Sequence, residues 1–315
     1  MATRRSLLGG LVLLGAGGAG AWFLRDSFFW PTATLEPGAT DSGDLTLLET
    51  PTRLPLVIAG VNGQAVTALI DTGAQATSID RSLAEALGLE AAFAPPLVAL
   101  GAGGHRQVAE GVDVTLELAE MVFSTVRAAV VEIGPLSEPE LGGVKLVIGQ
   151  DVLQTVIIEL DFEARTARLR DRAGAEVPAG MTVIPSRQRG RGLEARIRVE
   201  ETVLDLLVDT GSTAGVSLSE TTAENVGLLD GRETEASRRI VLGGVSSGRI
   251  VEARSLIVAG RALGASPVHI YGDQAAPGFP RGLLGLEIIG RERAWLDLAG
   301  GRLAVTGLPE PDERQ

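Results

Sequence analysis

The sequence predicts an all-β chain with short helices, arranged as two similar lobes. Three observations carry this. Hydrophobic residues make up 45% of the 315 residues but aromatics only 3%, so the cores must be built from Val, Leu, Ile and Ala, whose β-branched runs favour strands. Glycine occurs 41 times and punctuates these short runs as turns do. Finally, the segment around Asp71 returns around Asp209 with its flanking landmarks in the same order, which marks an internal duplication.

The duplicated segments run Ala68-Leu69-Ile70-Asp71-Thr72-Gly73-Ala74 and Leu206-Leu207-Val208-Asp209-Thr210-Gly211-Ser212. In each, an apolar strand ends on a carboxylate and Thr-Gly turns the chain away. Each is followed by a helix-like segment (81–89, 220–228), a glycine-rich turn (100–105, 242–248), an apolar-apolar-Gly signature (Val147-Ile148-Gly149, Leu283-Leu284-Gly285) and a Leu-Asp pair (Leu160-Asp161, Leu296-Asp297). Asp71 lies 78 residues before Gly149 and Asp209 lies 76 before Gly285. Two carboxyls brought to about 3 Å cannot both ionise and share one proton. One then serves as base and the other as acid, which suffices to hydrolyse an amide with a bound water.

The twin Asp-Thr-Gly motifs resemble those of the aspartic peptidases. The resemblance implies a bilobal fold of two pseudo-symmetric, retropepsin-like β-barrel lobes with the active-site cleft between them. It makes Asp71 and Asp209 the catalytic dyad and Thr72 and Thr210 its cross-braces. Gly73 and Gly211 become the turn residues beside the dyad. The glycine-rich hairpins become flaps over the substrate, with Gly101, Gly103 and Gly104 in the first and Gly243 and Gly244 in the second. The match covers residues 50 to 306 and is closer to the retropepsin-like subunit than to pepsin, because the only tyrosine, Tyr271, lies beyond the second flap. Ala74 stands where the second copy has Ser212. Only Asp209 is therefore expected to gain a hydroxyl donor, which would lower its pKa, make it the ionised member, and leave the shared proton on Asp71. With one donor missing, activity is expected at less acid pH than pepsin's.

Taken in order, residues 1–24 read as an export signal or signal anchor: Arg4-Arg5 precedes an apolar run from Leu7 to Leu24. Thr-Arg-Arg-x-Leu-Leu resembles a twin-arginine signal, though the general secretory route also accepts this pattern. Cleavage near Ala19-Gly20-Ala21 and inner-membrane anchoring through 7–24 both stay open. Either predicts an exported, periplasmic body. Gly15 to Gly20 spells G-x-G-x-x-G but neither follows a strand nor opens a βαβ helix, so it fails as a dinucleotide site. Residues 25–48, with Pro31, Pro37 and Gly43, read as a flexible stalk. The first lobe is expected over 49–170, opening with a hairpin turned at Gly60-Val-Asn-Gly63. A linker follows over 171–180, then the second lobe over 181–307 and a charged tail over 308–315. Gly244-Val-Ser246-Ser-Gly248 spells G-x-S-x-G, but a strand-like run follows in place of the helix a nucleophile elbow needs.

Net charge of −12 argues against a nucleic-acid surface. There is no cysteine and only His105 and His269, so no thiol nucleophile, lipid-modified cysteine or metal cluster is expected, and no cofactor. The two histidines read as structural or surface residues. The function expected is an exported aspartic endopeptidase acting on a peptide or protein substrate, with both lobes in one chain and hence a monomer. The rival reading is a catalytically inactive bilobal peptide-binding protein of the cell envelope, which would be expected to have lost one Asp or Gly of the pair. A third, an envelope scaffold, would need an exposed apolar stripe that the sequence outside the signal lacks.

Overall fold

The computed structural model describes residues 30–92, 97–100, 106–241, 243–273 and 279–310. The export signal and the first flap's Gly101, Gly103, Gly104 and His105 lie outside the described residues. So does the tail from residue 311.

The first lobe contains β1 (Thr34–Leu35), β2 (Leu45–Thr46), β3 (Leu56–Val61), β4 (Gln64–Ile70), β5 (Ser78–Asp80), α1 (Arg81–Ala86), β6 (Leu97–Leu100), β7 (Arg106–Ala109), β8 (Gly111–Leu118), β9 (Met121–Val131), β10 (Val144–Ile148), α2 (Gln150–Leu153), β11 (Val156–Asp161) and β12 (Thr166–Asp171). Strands β3 and β4 form the expected hairpin, with Asn62 and Gly63 at positive φ as a tight turn requires. Six strands then close on themselves in the order β9-β5-β10-β4-β3-β8, with β8 pairing back to β9. This closed barrel leaves no free edge among its strands, and Val57, Ile79, Leu116 and Phe123, which share one face of the ladders, are buried within it.

The second lobe repeats the pattern with β13 (Thr182–Ile184), β14 (Ser186–Arg189), β15 (Gly192–Val199), β16 (Thr202–Val208), β17 (Val216–Ser219), α3 (Glu220–Val226), β18 (Thr234–Val241), β19 (Gly244–Ala253), β20 (Leu256–Val258), β21 (Arg261–Ala262), β22 (Ser266–Tyr271), β23 (Gly282–Leu284), α4 (Leu286–Ile289), β24 (Arg293–Asp297) and β25 (Arg302–Val305). Asp80 caps α1 by accepting from the Ser82 N–H, and Ser219 caps α3 by accepting from that of Thr222, so each helix start is fixed locally. Where the β8–β9 ladder shifts register between Val114 and Leu116, with Ser124 and Thr125 of β9 opposite the one residue between them, the second lobe breaks its strand into β19 and β20. The ring therefore closes through the chain at Arg254-Ser255 instead of through a ladder.

A separate six-stranded sheet, β13-β25-β24-β11-β12-β2, joins the lobes, with β11 and β24 paired at its centre (Ile158 opposite Leu296). Each lobe thus supplies three strands in mirrored order. The connection over 172–181 lies against this sheet, where Ala175, Val177 and Met181 pack on Ile157, Trp295 and Ala304. Arg172 and Arg302 both bond the shielded Asp297 carboxylate, and Arg302 sits 4.9 Å over the Trp295 ring.

The stalk expectation is corrected for residues 30–48. Trp30 and Ala33 are buried, Ala33 donates to the Asp151 carbonyl, β1 pairs with β9 and β2 with β12. This segment is an integral strap of the first lobe and the joining sheet. Its few apolar residues, Trp30, Leu35, Leu45 and Leu47, suffice because each backbone stretch finds a strand edge. Among the described residues, no helix is long and apolar enough to cross a membrane.

Candidate active site

The motif aspartates terminate β4 and β16, two strands that run into the centre of the molecule. Strand β10 passes parallel to β4, and β23 parallel to β16. The glycine ending each signature is needed for this approach. A Cβ on Gly149 would meet the Ala76 carbonyl carbon at 2.5 Å, and one on Gly285 the Ala214 oxygen at 2.3 Å. Only hydrogen can occupy such a space.

The two loops lock together through their threonines. The Thr72 N–H donates to Thr210 Oγ1 at 3.0 Å and the Thr210 N–H to Thr72 Oγ1 at 3.1 Å. The hydroxyls then donate onward, Thr72 to the Val208 carbonyl at 2.8 Å and Thr210 to that of Ile70 at 2.7 Å. All four bonds are buried and all four cross between lobes. They fix the separation and twist of the two carboxylates before any ligand arrives.

Asp71 and Asp209 are both 0% exposed. Asp71 Oδ1 accepts from the N–H groups of Gly73 (2.8 Å) and Ala74 (3.1 Å), and Asp209 Oδ1 from that of Gly211 (2.9 Å). Each motif glycine also makes room for the opposite aspartate. A Cβ on Gly73 would fall 2.5 Å from the Asp209 carboxyl carbon, and one on Gly211 2.7 Å from that of Asp71. The carboxyls face one another closely enough to hydrogen-bond. Apart from the facing carboxyl, Asp71 Oδ2 and Asp209 Oδ2 have no partner among the described residues.

Burial raises both acids. Asp71 rises to about 6, moderated by its backbone N–H donors, while Asp209 is pushed further by burial and then by the Asp71 charge. Two buried carboxyls in one site thus keep a shared proton into the neutral range. Asp209 is raised the more, by burial and then by the Asp71 charge, opposite in direction to the sequence expectation that it is the ionised member. Ser212 does not supply the hydroxyl donor that the sequence led one to expect. Its hydroxyl is buried without a partner and does not bond Asp209, because the side chain is held against Gly285, where a Cβ would meet the Ser212 Cβ at 2.9 Å. Backbone N–H groups lower both acids, those of Gly73 and Ala74 at Asp71 and those of Gly211 and Ser212 at Asp209.

The second flap, the β18–β19 hairpin, leans from its own lobe onto the other. The Gly243 N–H donates to the Ile133 carbonyl at 3.3 Å, and a Cβ on Gly134 would lie 3.0 Å from the Gly244 nitrogen. In the first flap, β6 pairs with β7 through Leu100 and Arg106.

Two supports escaped the sequence reading. Gln150 Nε2 donates to the Thr72 carbonyl at 2.8 Å, bracing the first loop where the second lobe has Leu286. Buried Asp151 accepts from both the N–H and the hydroxyl of Thr77, and burial raises it to about 6. The available signal was Gln-Asp directly after Val-Ile-Gly, two polar residues continuing an apolar strand. Among the described residues no cluster suited to a metal ion occurs. No curated protein matches the chain. Residues 57–181 match the family model described as aspartyl protease, so this part of the chain, which holds the first lobe's motif, is similar to the aspartic peptidases.

Proposed function

We propose that this chain is an exported endopeptidase that hydrolyses peptide bonds by activating water between Asp71 and Asp209. The observation that carries this reading is the pair of fully shielded carboxyls, each seated against the other loop's glycine and sharing a proton. Ionised Asp71 takes a proton from water as its oxygen bonds the peptide carbonyl carbon. Asp209 gives its proton to the carbonyl oxygen. Collapse of the tetrahedral adduct breaks the C–N bond, the leaving nitrogen receives the proton held by Asp71, and the hydroxyl proton returns to Asp209, restoring the starting state. The substrate would lie extended beneath the flaps, held by main-chain hydrogen bonds as an added strand. Export rests on the basic and apolar character of residues 1–24.

The test is cleavage of an unstructured protein by the purified chain from about pH 3 to about pH 8, beside Asp71→Asn and Asp209→Asn. Each variant should lose activity by at least about a thousandfold while keeping the parent's melting behaviour. Cleavage that survives either substitution would sink the dyad, and a parent inert at every pH would favour a peptide-binding role instead.

A further inference from the structure

The second flap has one wet face and one dry face. Along β18, Ala236 and Arg238 are exposed while Ser237 and Arg239 are buried. Opposite them on β19 stand Gly248 and Ser246, and directly paired residues share a face of the sheet. The inner face of the flap is therefore polar and small, apart from one long cation.

Arg239 is 5% exposed. Its Nη1 lies 3.5 Å from Ser217 Oγ, and its Nε and Nη2 have no partner among the described residues. The same holds for Ser237 Oγ and His269 Nδ1. Ser217 and His269 sit in register on β17 and β22, and Tyr271 follows His269 on the same strand. The Tyr271 phenol, pushed well above its ordinary pKa by burial and then by the Asp209 charge, also lies within range of Arg239. The guanidinium is thus beneath the flap on the Asp209 side of the cleft. Burial pulls its pKa down to about 9, which leaves it cationic at neutral pH.

A buried cation without a carboxylate costs several kcal/mol, and a planar fork with free donors matches a carboxylate bidentately. Among the described residues the first lobe has no such feature: by strand register the positions equivalent to Ser217 and His269 are Ser78 and Ala129, so the histidine is missing there. We infer that Arg239, with Ser217, Ser237 and His269, forms a subsite for one Asp or Glu side chain of the bound peptide, on the Asp209 side of the cleft only. This rests on the peptidase reading, since the occupant is a side chain of the strand beneath the flap.

Peptide pairs differing only by Glu or Gln at each position around a cleavage site test it. At one position, on one side of the scissile bond, Glu should raise kcat/KM roughly ten- to a hundredfold over Gln, and Arg239→Gln should abolish that ratio. Arg239→Lys, which keeps the charge without the fork, should retain part of it and serves as the readout if Arg239→Gln does not fold. Cleavage with no Glu preference, or a preference unchanged in both variants, overturns the subsite and leaves the peptidase reading standing. Failure of all cleavage counts against the peptidase reading instead. Binding of the same peptides to Asp71→Asn, which needs no turnover, then decides the subsite alone: tighter binding of Glu supports it, and equal or absent binding overturns it.

Discussion

In the first lobe the strand after the aspartate turn carries Ser78 opposite Ala129, whereas the second lobe has Ser217 opposite His269 at those places. After the signature glycine the first lobe buries Gln150 and Asp151, while the second has Leu286, buried, and Glu287, exposed, whose Oε2 accepts from the Gly215 N–H. Yet at the Asp-Thr-Gly turns the lobes are interchangeable bond for bond. The difference teaches where symmetry is enforced. Each threonine is donor and acceptor for the other, and each glycine shapes a space for the other's carboxyl, so neither turn can change alone. One turn away, each lobe answers only to its own core. There the first keeps Ala129 in its sheet and polar Gln150 and Asp151 beneath its loop, and the second has His269 and Leu286 at the first two of those places.

The comparison breaks most sharply at the glycines. Gly73→Ala and Gly211→Ala should each cost activity by at least about a hundredfold, since a methyl at 2.5 Å or 2.7 Å from a carboxyl carbon must displace it. Steady-state kinetics on the two variants should give losses of similar size. A strongly one-sided result would show that only one carboxyl needs its place.

Next come the threonines. Thr72→Val and Thr210→Val keep the shape but remove a hydroxyl that accepts one buried bond and donates another. Each leaves a buried N–H and a carbonyl of the other lobe unpaired, so denaturant unfolding should show a loss of roughly 2–5 kcal/mol for either. The double variant should lose less than the sum, because the same linkage is broken twice.

Much of this region was legible in the sequence because it is duplicated. Two copies of one motif at 78 and 76 residues from their signature glycines gave the dyad, the braces and the paired lobes together. Three features were not legible. Residues 30–48 look like a stalk because pairing by backbone leaves little trace in side-chain pattern. The role of Ser212 depended on rotamer space beside Gly285, which the identity of a residue does not reveal. Arg239 reads as one of two arginines on a flap strand, and only the register of β18 with β19 tells which one turns inward.

Asp151 sharpens the comparison through pH. Its folded pKa of about 6 lies above the ordinary 3.8, so the folded chain holds this proton more tightly than the unfolded one. Its stabilising contribution is complete below about pH 4 and is lost as pH rises through 6, a change on the order of 3 kcal/mol. The dyad acts in the same direction. Acids held low by arginines, such as Asp41 beside Arg168 and Asp205 beside Arg196, act below pH 4 and do not mask this window. Melting followed from about pH 4 to about pH 7 should show stability falling in the parent and falling less in Asp151→Asn.

The smallest effect should come from the one difference inside the motifs, Ala74 against Ser212. If the serine hydroxyl bonded the Asp209 carboxylate, removing it would raise that acid and move the pH–rate profile. The hydroxyl instead has no partner among the described residues, while the Asp209 carboxyl faces that of Asp71. Ser212→Ala should therefore leave the profile in place, rising through about pH 6 as Asp71 ionises. Stability should be unchanged or higher by up to about 1 kcal/mol, because a buried unpaired hydroxyl is lost. A displacement of the rising limb by half a pH unit or more would mean that the hydroxyl turns to Asp209 in the working enzyme, and that the proton sits where the sequence first suggested.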